Sequence, residues 1–286
     1  MSHILVIAGL VVREAARRRL LLALILLTLV VIGLTAWGFS RIPTFTQNGR
    51  PLDDVTVKTI ASQFLILSMF MFSFVLAMAA VFVAAPSIAN DVESGIALAL
   101  LSRPVSRTEY VLGKWLGHAA ILALYAGGAG AIELLVVNAV VGYRPPEPIA
   151  FLGFLIGEGL VILTLALLLS TRLSGMVGGV VALVLFGIAW IGGIAGGIGA
   201  AFGNATIEHA GTVTRLILPT DALWRGAVFT LEPAAVIVAG SQAGPAMAAN
   251  PFFAAAALPL AMVLYAVAWI VVLLGLTVLS FRTREP

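Results

Sequence analysis

The chain has no cysteine and very little charge: 10% of its 286 residues are Asp, Glu, Lys or Arg. The first absence excludes disulfides and thiolate metal sites, and leaves the redox compartment unread. The second is far below the roughly 25% of an average soluble domain. With 61% of residues hydrophobic, a soluble fold would have nowhere to put the apolar surface.

Catalytic and nucleotide-binding signatures are missing too. No G-x-x-x-x-G-K-[ST] occurs, and the glycine-rich run at 191–204 has no Lys or Ser/Thr placed to cradle phosphate. There is no H-E-x-x-H, and His3, His118 and His209 are too dispersed to suggest a metal site. The stretch TRLSGMVGG lacks a G-x-S-x-G frame, which argues against an intramembrane serine hydrolase. These absences point to a non-enzyme that binds no ATP, cofactor or metal itself.

What the chain does have is long apolar runs. Six of them, about 20–39, 61–85, 115–141, 149–170, 176–203 and 256–281, are long enough to cross a hydrocarbon core of about 30 Å. Backbone groups in lipid must be satisfied within the segment, so the expected fold is an all-α integral membrane protein forming a single domain. The run at 20–39 is too long for a signal-peptide core and reads as an uncleaved first span.

Basic residues set the expected orientation. With the N-terminus inside, Arg13, Arg17, Arg18, Arg19, Arg103, Arg107, Lys114, Arg172, Arg282 and Arg284 are cytoplasmic, ten of the 16 Lys and Arg. Both termini are then cytoplasmic, and the net charge of +3 is a topology signal rather than a sign of nucleic-acid binding. Ahead of the first span, Ile4, Leu5, Ala8, Val11 and Val12 recur at helical spacing, predicting an amphipathic helix along the inner headgroups. The outer segment 204–255 is expected to be the longest loop. Its LPTDALWRGAVFTL predicts a short helix, with Leu223, Trp224, Ala227, Val228 and Leu231 on one side, resting at the outer interface.

Three features are candidates for function. Gly192, Gly193, Gly196 and Gly197 form overlapping small-xxx-small pairs for close helix packing, against another span or a second copy of the chain, with a hinge as the alternative. Glu133 and Glu158 fall at membrane depth, where a charged group is costly; they are either path residues or structurally satisfied acids. The third is the polar module 91–114 between spans 2 and 3. Asp91, Glu93 and Ser94 precede GIALALL, Pro104 ends that helix, and Ser106 with Glu109 predicts a capping box opening the next. The short helix would offer Ile96, Leu98, Leu100 and Leu101 to a partner.

DVESGIALALLSRPVSRTEYVLGK resembles the cytoplasmic signature of ABC-2 type permeases: acids, E-x-G-T, a Leu-rich stretch, P-V-S-R and a closing G-K, with Ile96 in place of the usual Thr. REAARRRLLLAL and LPTDALWRG are also similar to that family, especially to the subgroup with the permease of nitrous oxide reductase maturation. The resemblance implies a transmembrane subunit in a prokaryotic cytoplasmic membrane, paired as a homodimer with two separate ATPase subunits that hold ATP and Mg. The helix around 91–102 would then be the coupling helix, with Asp91, Glu93, Gly95, Arg103, Pro104, Arg107 and Glu109 as its coupling residues, and Gly192, Gly193, Gly196 and Gly197 would pack the dimer. An exporter is the expectation; the alternative is a scaffold that passes ATPase motion to an outer accessory protein without transport.

Overall fold

The computed structural model describes residues 3–284 apart from 18, 48, 103, 245, 246 and 248. Among these the fold is all-α except for one small hairpin, β1 (Thr46–Gln47) against β2 (Arg50–Pro51). In chain order the helices are α1 (His3–Arg17), α2 (Arg19–Arg41), α3 (Asp54–Glu93), α4 (Ile96–Leu101), α5 (Arg107–Val141), α6 (Pro148–Ser170), α7 (Gly175–Ala201), α8 (Ala205–Ile217), α9 (Thr220–Leu231), α10 (Ala234–Gln242) and α11 (Leu260–Arg282). Six of the described helices, α2, α3, α5, α6, α7 and α11, are long and apolar enough to cross a membrane. The six expected spans are therefore present.

Helices α3 and α6 are the most buried of the six, and α2 and α11 the least. Residues such as Leu65, Leu76, Ile88, Ile162 and Leu167 have no contact with the surroundings beyond about 1% of their surface. At 40 residues and about 1.5 Å each, α3 is about twice the length a crossing needs. It runs on through Pro86, where span 2 was expected to end. Proline removes a helical hydrogen bond and its ring needs room; here α7 begins with Gly175 seated on Pro86, so close that a Cβ would lie 2.9 Å from Pro86 Cα.

Helix α1 lies on α5. Ile7 and Val11 press onto Gly113 and Gly117, where a Cβ would come within 2.6 and 2.7 Å of those side chains. The buried face is Ile7, Ala8, Val11 and Ala15, whereas Leu5 and Val12 are exposed. The expected face was thus rotated, because the sequence shows periodicity but not which partner's glycines receive it. α1, α4 and the end of α11 gather at one end of the bundle, here termed proximal: His3 Nδ1 meets Glu109 Oε1 at 3.1 Å and Arg107 holds the C-terminus of α11.

The main departure from expectation is segment 204–255. After Gly203, whose φ of +67° suits glycine, α8 folds back antiparallel onto α7. Ideal Cβ atoms at Gly199, Gly196 and Gly192 would collide in turn with Ile207 and Glu208, Gly211, and Thr214. The chain so descends by about seven residues, or about 10 Å. α9 then returns, with Leu223 against Gly157, Gly226 against Phe154, and Glu147 N donating to Thr230 O at 3.3 Å. α8 and α9 form a re-entrant hairpin in the distal half of the bundle, with α9 buried inside and α8 on the outside, where only its Gly211 is buried. Almost every α9 residue is buried, so this helix does not rest on the surface as expected.

The C-terminal carbonyls of α8 have no intrahelical partners and lie on the outside of the bundle, Leu216 and Ile217 being 43% and 60% exposed. Tyr265 and Trp269 of α11 supply donors: Tyr265 OH to Leu216 O, and Trp269 Nε1 to Ile217 O at 3.0 Å. α10 breaks from α9 by 116° and leads the chain back to α11.

Candidate functional site

The proximal module starts at the end of α3. Asp91 and Glu93 are its last turn rather than the start of the short helix, which is α4 alone and not 91–102. Ser94 closes α3, its N–H and hydroxyl both donating to Asn90 O at 2.9 and 2.6 Å. Gly95 then turns the chain with φ +75°, a left-handed geometry in which a Cβ is strained. This explains why the module needs a glycine here.

α4 follows as one and a half turns. Ala97 is fully buried and Leu100 leans on the core, while Ile96 and Leu98 are 50% and 53% exposed beside exposed Glu93, Ala99 and Ser102. The apolar face is split: Ala97 and Leu100 face inward, Ile96 and Leu98 outward. Pro104 is exposed after the helix; Arg103 lies outside the described residues, and so does the side chain of Leu101.

Most of the module's charges are held within the chain. Asp91 Oδ2 accepts from Tyr110 OH at 2.6 Å and pairs with Lys114 Nζ at 2.7 Å, both carboxylate and ammonium being largely buried. This ties the end of α3 to the start of α5. The capping box is present: Glu109 N donates to Ser106 Oγ at 3.2 Å, and Ser106 N to Glu109 Oε2 at 2.9 Å.

Arg107 Nη1 donates to the carbonyls of Phe281, Arg282 and Arg284 at 2.9, 2.9 and 2.6 Å. It therefore caps α11, a favourable place for a cation. Arg284 in turn donates to Thr171 O at 2.6 Å beyond the C-terminus of α6, and Arg172 to Ser280 O at 3.0 Å. Tyr110 stacks on Phe281 with ring centroids 5.2 Å apart. Reciprocal arginine capping so binds the α4–α5 corner, α11 and the α6–α7 turn into one plate. Asp91, Arg107 and Glu109 belong to that plate; Glu93, Gly95 and Pro104 belong to the exposed elbow.

The two intramembrane acids are not brought into one site. Glu133 on α5 accepts from Thr35 Oγ1 of α2 at 3.1 Å, and Glu158 on α6 accepts from Ser73 Oγ of α3 at 2.7 Å. Each is buried and tied to a hydroxyl on a neighbouring helix, and Glu133 Oε1 has no hydrogen-bond partner among the described residues.

The glycines expected at a dimer contact have partners within the chain. Gly192 faces Thr214, Gly193 faces Asp221, Gly196 faces Gly211 and Gly197 faces Ala249. A second copy cannot use this face without displacing α8. Sequence reasoning missed the residues that make the hairpin tip: Arg215 and Arg225, which both bind Asp221. The Asp221–Arg225 spacing of four on a helix was the available signal.

The sequence model of a family described as ABC-2 family transporter protein matches residues 5–285, nearly the whole chain. This chain is a member of that family. As an ABC-2 family protein with six helices long and apolar enough to cross a membrane among the described residues, it is a multi-pass membrane protein. Among curated proteins, the chain is 30% identical over 167 residues to the "Probable ABC transporter permease protein NosY" of Pseudomonas aeruginosa. The match covers 56% of this chain and 57% of that protein.

Proposed function

We propose that this ABC-2 permease is the membrane half of an exporter, moved by a separate ATPase that seats α4 in a surface groove and holds the ATP and Mg. One observation carries the reading. α4 presents Ile96 and Leu98 outward at the end that bears both termini, on a corner whose charged groups are already used to fix it in place. A rigid, amphipathic helical elbow suits insertion into a partner's groove. With one α4 per chain, two copies of the permease would engage two ATPases. The proximal end then faces the cytoplasm of a prokaryotic cell, in keeping with the basic residues gathered there.

The roles divide between docking and transmission. Glu93, Ile96, Leu98 and Pro104 would touch the ATPase; Asp91, Arg107 and Glu109 would carry its motion into the bundle. The test is Ile96→Glu and Leu98→Glu. Both should insert and fold normally yet lose co-purification with the ATPase, because a buried unpaired carboxylate at the contact costs several kcal/mol. Undiminished co-purification in both variants would rule out α4 as the docking element. ATP-dependent solute movement into inverted vesicles checks export against ATPase-driven motion passed to an outer partner.

A further inference from the structure

The tip of the re-entrant hairpin holds more positive charge than it neutralises. Arg215 Nε and Arg225 Nε donate to the same oxygen, Asp221 Oδ2, at 2.7 and 3.2 Å. Their Nη2 groups donate to the same carbonyl, Gly193 O, at 3.0 and 3.3 Å. Sharing both acceptors, the two guanidinium groups lie side by side. Asp221 is fully buried, and among the described residues no other acid comes within 4 Å of either arginine. Two guanidiniums therefore share one carboxylate within 4 Å, a costly arrangement beside apolar helices unless something compensates it.

The two arginines line a cavity of about 430 Å³ between α7 and α8. Gly196, Gly197 and Ala200 of α7 line it with small residues, so the space in front of the guanidiniums stays open. Glu208 also lines it but is exposed, where solvent screens its charge. The Nη1 groups of both arginines are not used by Asp221 or Gly193.

We propose that this cavity binds a phosphate-type oxyanion at the distal side of the membrane, either free or as the headgroup of a lipid. Asp221 accepts both guanidiniums on one oxygen, and the Nη1 donors it leaves unused match a tetrahedral group with several peripheral oxygens. Such an anion completes the charge balance that Asp221 leaves unfinished.

The test uses the full chain in nanodiscs without nucleotide or ATPase, so its outcome is separate from the coupling proposal. Thermal unfolding is followed while inorganic phosphate is titrated at constant ionic strength against chloride, in phosphatidylcholine discs. A parallel set replaces phosphatidylcholine by phosphatidylglycerol with no free phosphate. Ala200→Trp fills the space in front of the guanidiniums from an exposed position and leaves both arginines in the chain. Arg225→Gln removes one guanidinium and should weaken binding about tenfold.

Saturable stabilisation by phosphate, lost in Ala200→Trp at unchanged baseline stability, supports a free-anion site. Stabilisation by phosphatidylglycerol alone, lost in the same variant, supports a lipid headgroup. No stabilisation in either arm, or equal stabilisation of wild type and Ala200→Trp, overturns the proposal.

Discussion

At the scale of single residues, the polar groups of this chain are informative because there are so few. Asp91, Arg107 and Glu109 look alike in the sequence, as charges at a membrane boundary. In the fold each closes a specific gap: Asp91 ties α3 to α5, Glu109 caps α5, and Arg107 caps α11. Only Glu93 of the acids in the module is left exposed on the elbow. Glu232, at the corner between α9 and α10, is fully buried and accepts one hydrogen bond, from Ala254 N at 3.2 Å. Burial pushes its carboxyl up to about 7 from an ordinary value of 4.5. Its neutral form is therefore favoured by folding: stability on this account is full below pH 4.5 and falls as pH rises toward 7. Glu232→Gln should remove that slope and stabilise the protein at pH 7.5 by roughly 2 kcal/mol. Unfolding of wild type and variant compared at pH 4.5 and 7.5 checks it; an identical pH slope for the two counts against it.

At the scale of elements, the glycine-rich α7 shows how much a sequence can specify without naming the partner. Close approach was legible from Gly192, Gly193, Gly196 and Gly197, since in lipid only small residues let helices touch by their backbones. The occupant was not, because the segment that forms α8 is too short and too polar to read as a membrane element. The contact of Gly196 with Gly211 is nearly backbone to backbone, a Cβ on Gly196 falling 2.8 Å from Gly211 Cα. The lack of native cysteine makes a direct test clean. Gly192→Cys with Thr214→Cys should oxidise to an intrachain disulfide: an ideal Cβ at 192 lies 2.7 Å from Thr214 Cβ, which relaxes to a normal span with a small shift. Gel mobility resolves it. Covalent dimers as the main product would restore the dimer contact and remove the re-entrant hairpin.

At the scale of the whole molecule, the fold separates the exposed elbow of α4 from a plate of cross-capped helix ends. Arg107, Arg172 and Arg284 bind the ends of α11 and α6 through carbonyls that a helix C-terminus leaves unused. In the proposed coupling, force applied at α4 reaches the ends of α5, α6 and α11 together. Arg107→Ala should then keep the ATPase association proposed for Ile96 and Leu98 and lose most of the permease's stimulation of ATP hydrolysis. Co-purification and ATPase rate measured on the same preparation separate the two effects. Loss of association in Arg107→Ala would place this arginine at the docking surface instead.

The sequence by itself determined the class, the six spans, the capped start of α5 and the presence of a proline-bounded elbow. Each of these depends on local chemistry: apolar length, a proline's missing donor, a serine and glutamate three residues apart. Only the tertiary structure decided that α3 runs past Pro86, that α8 fills the glycine face, and that Arg215 and Arg225 meet at Asp221 and at one carbonyl. Those outcomes depend on which distant segment arrives with the right shape and donors, and membrane packing is chosen by close fit and by satisfied polar groups, neither of which is written in any single stretch of the chain.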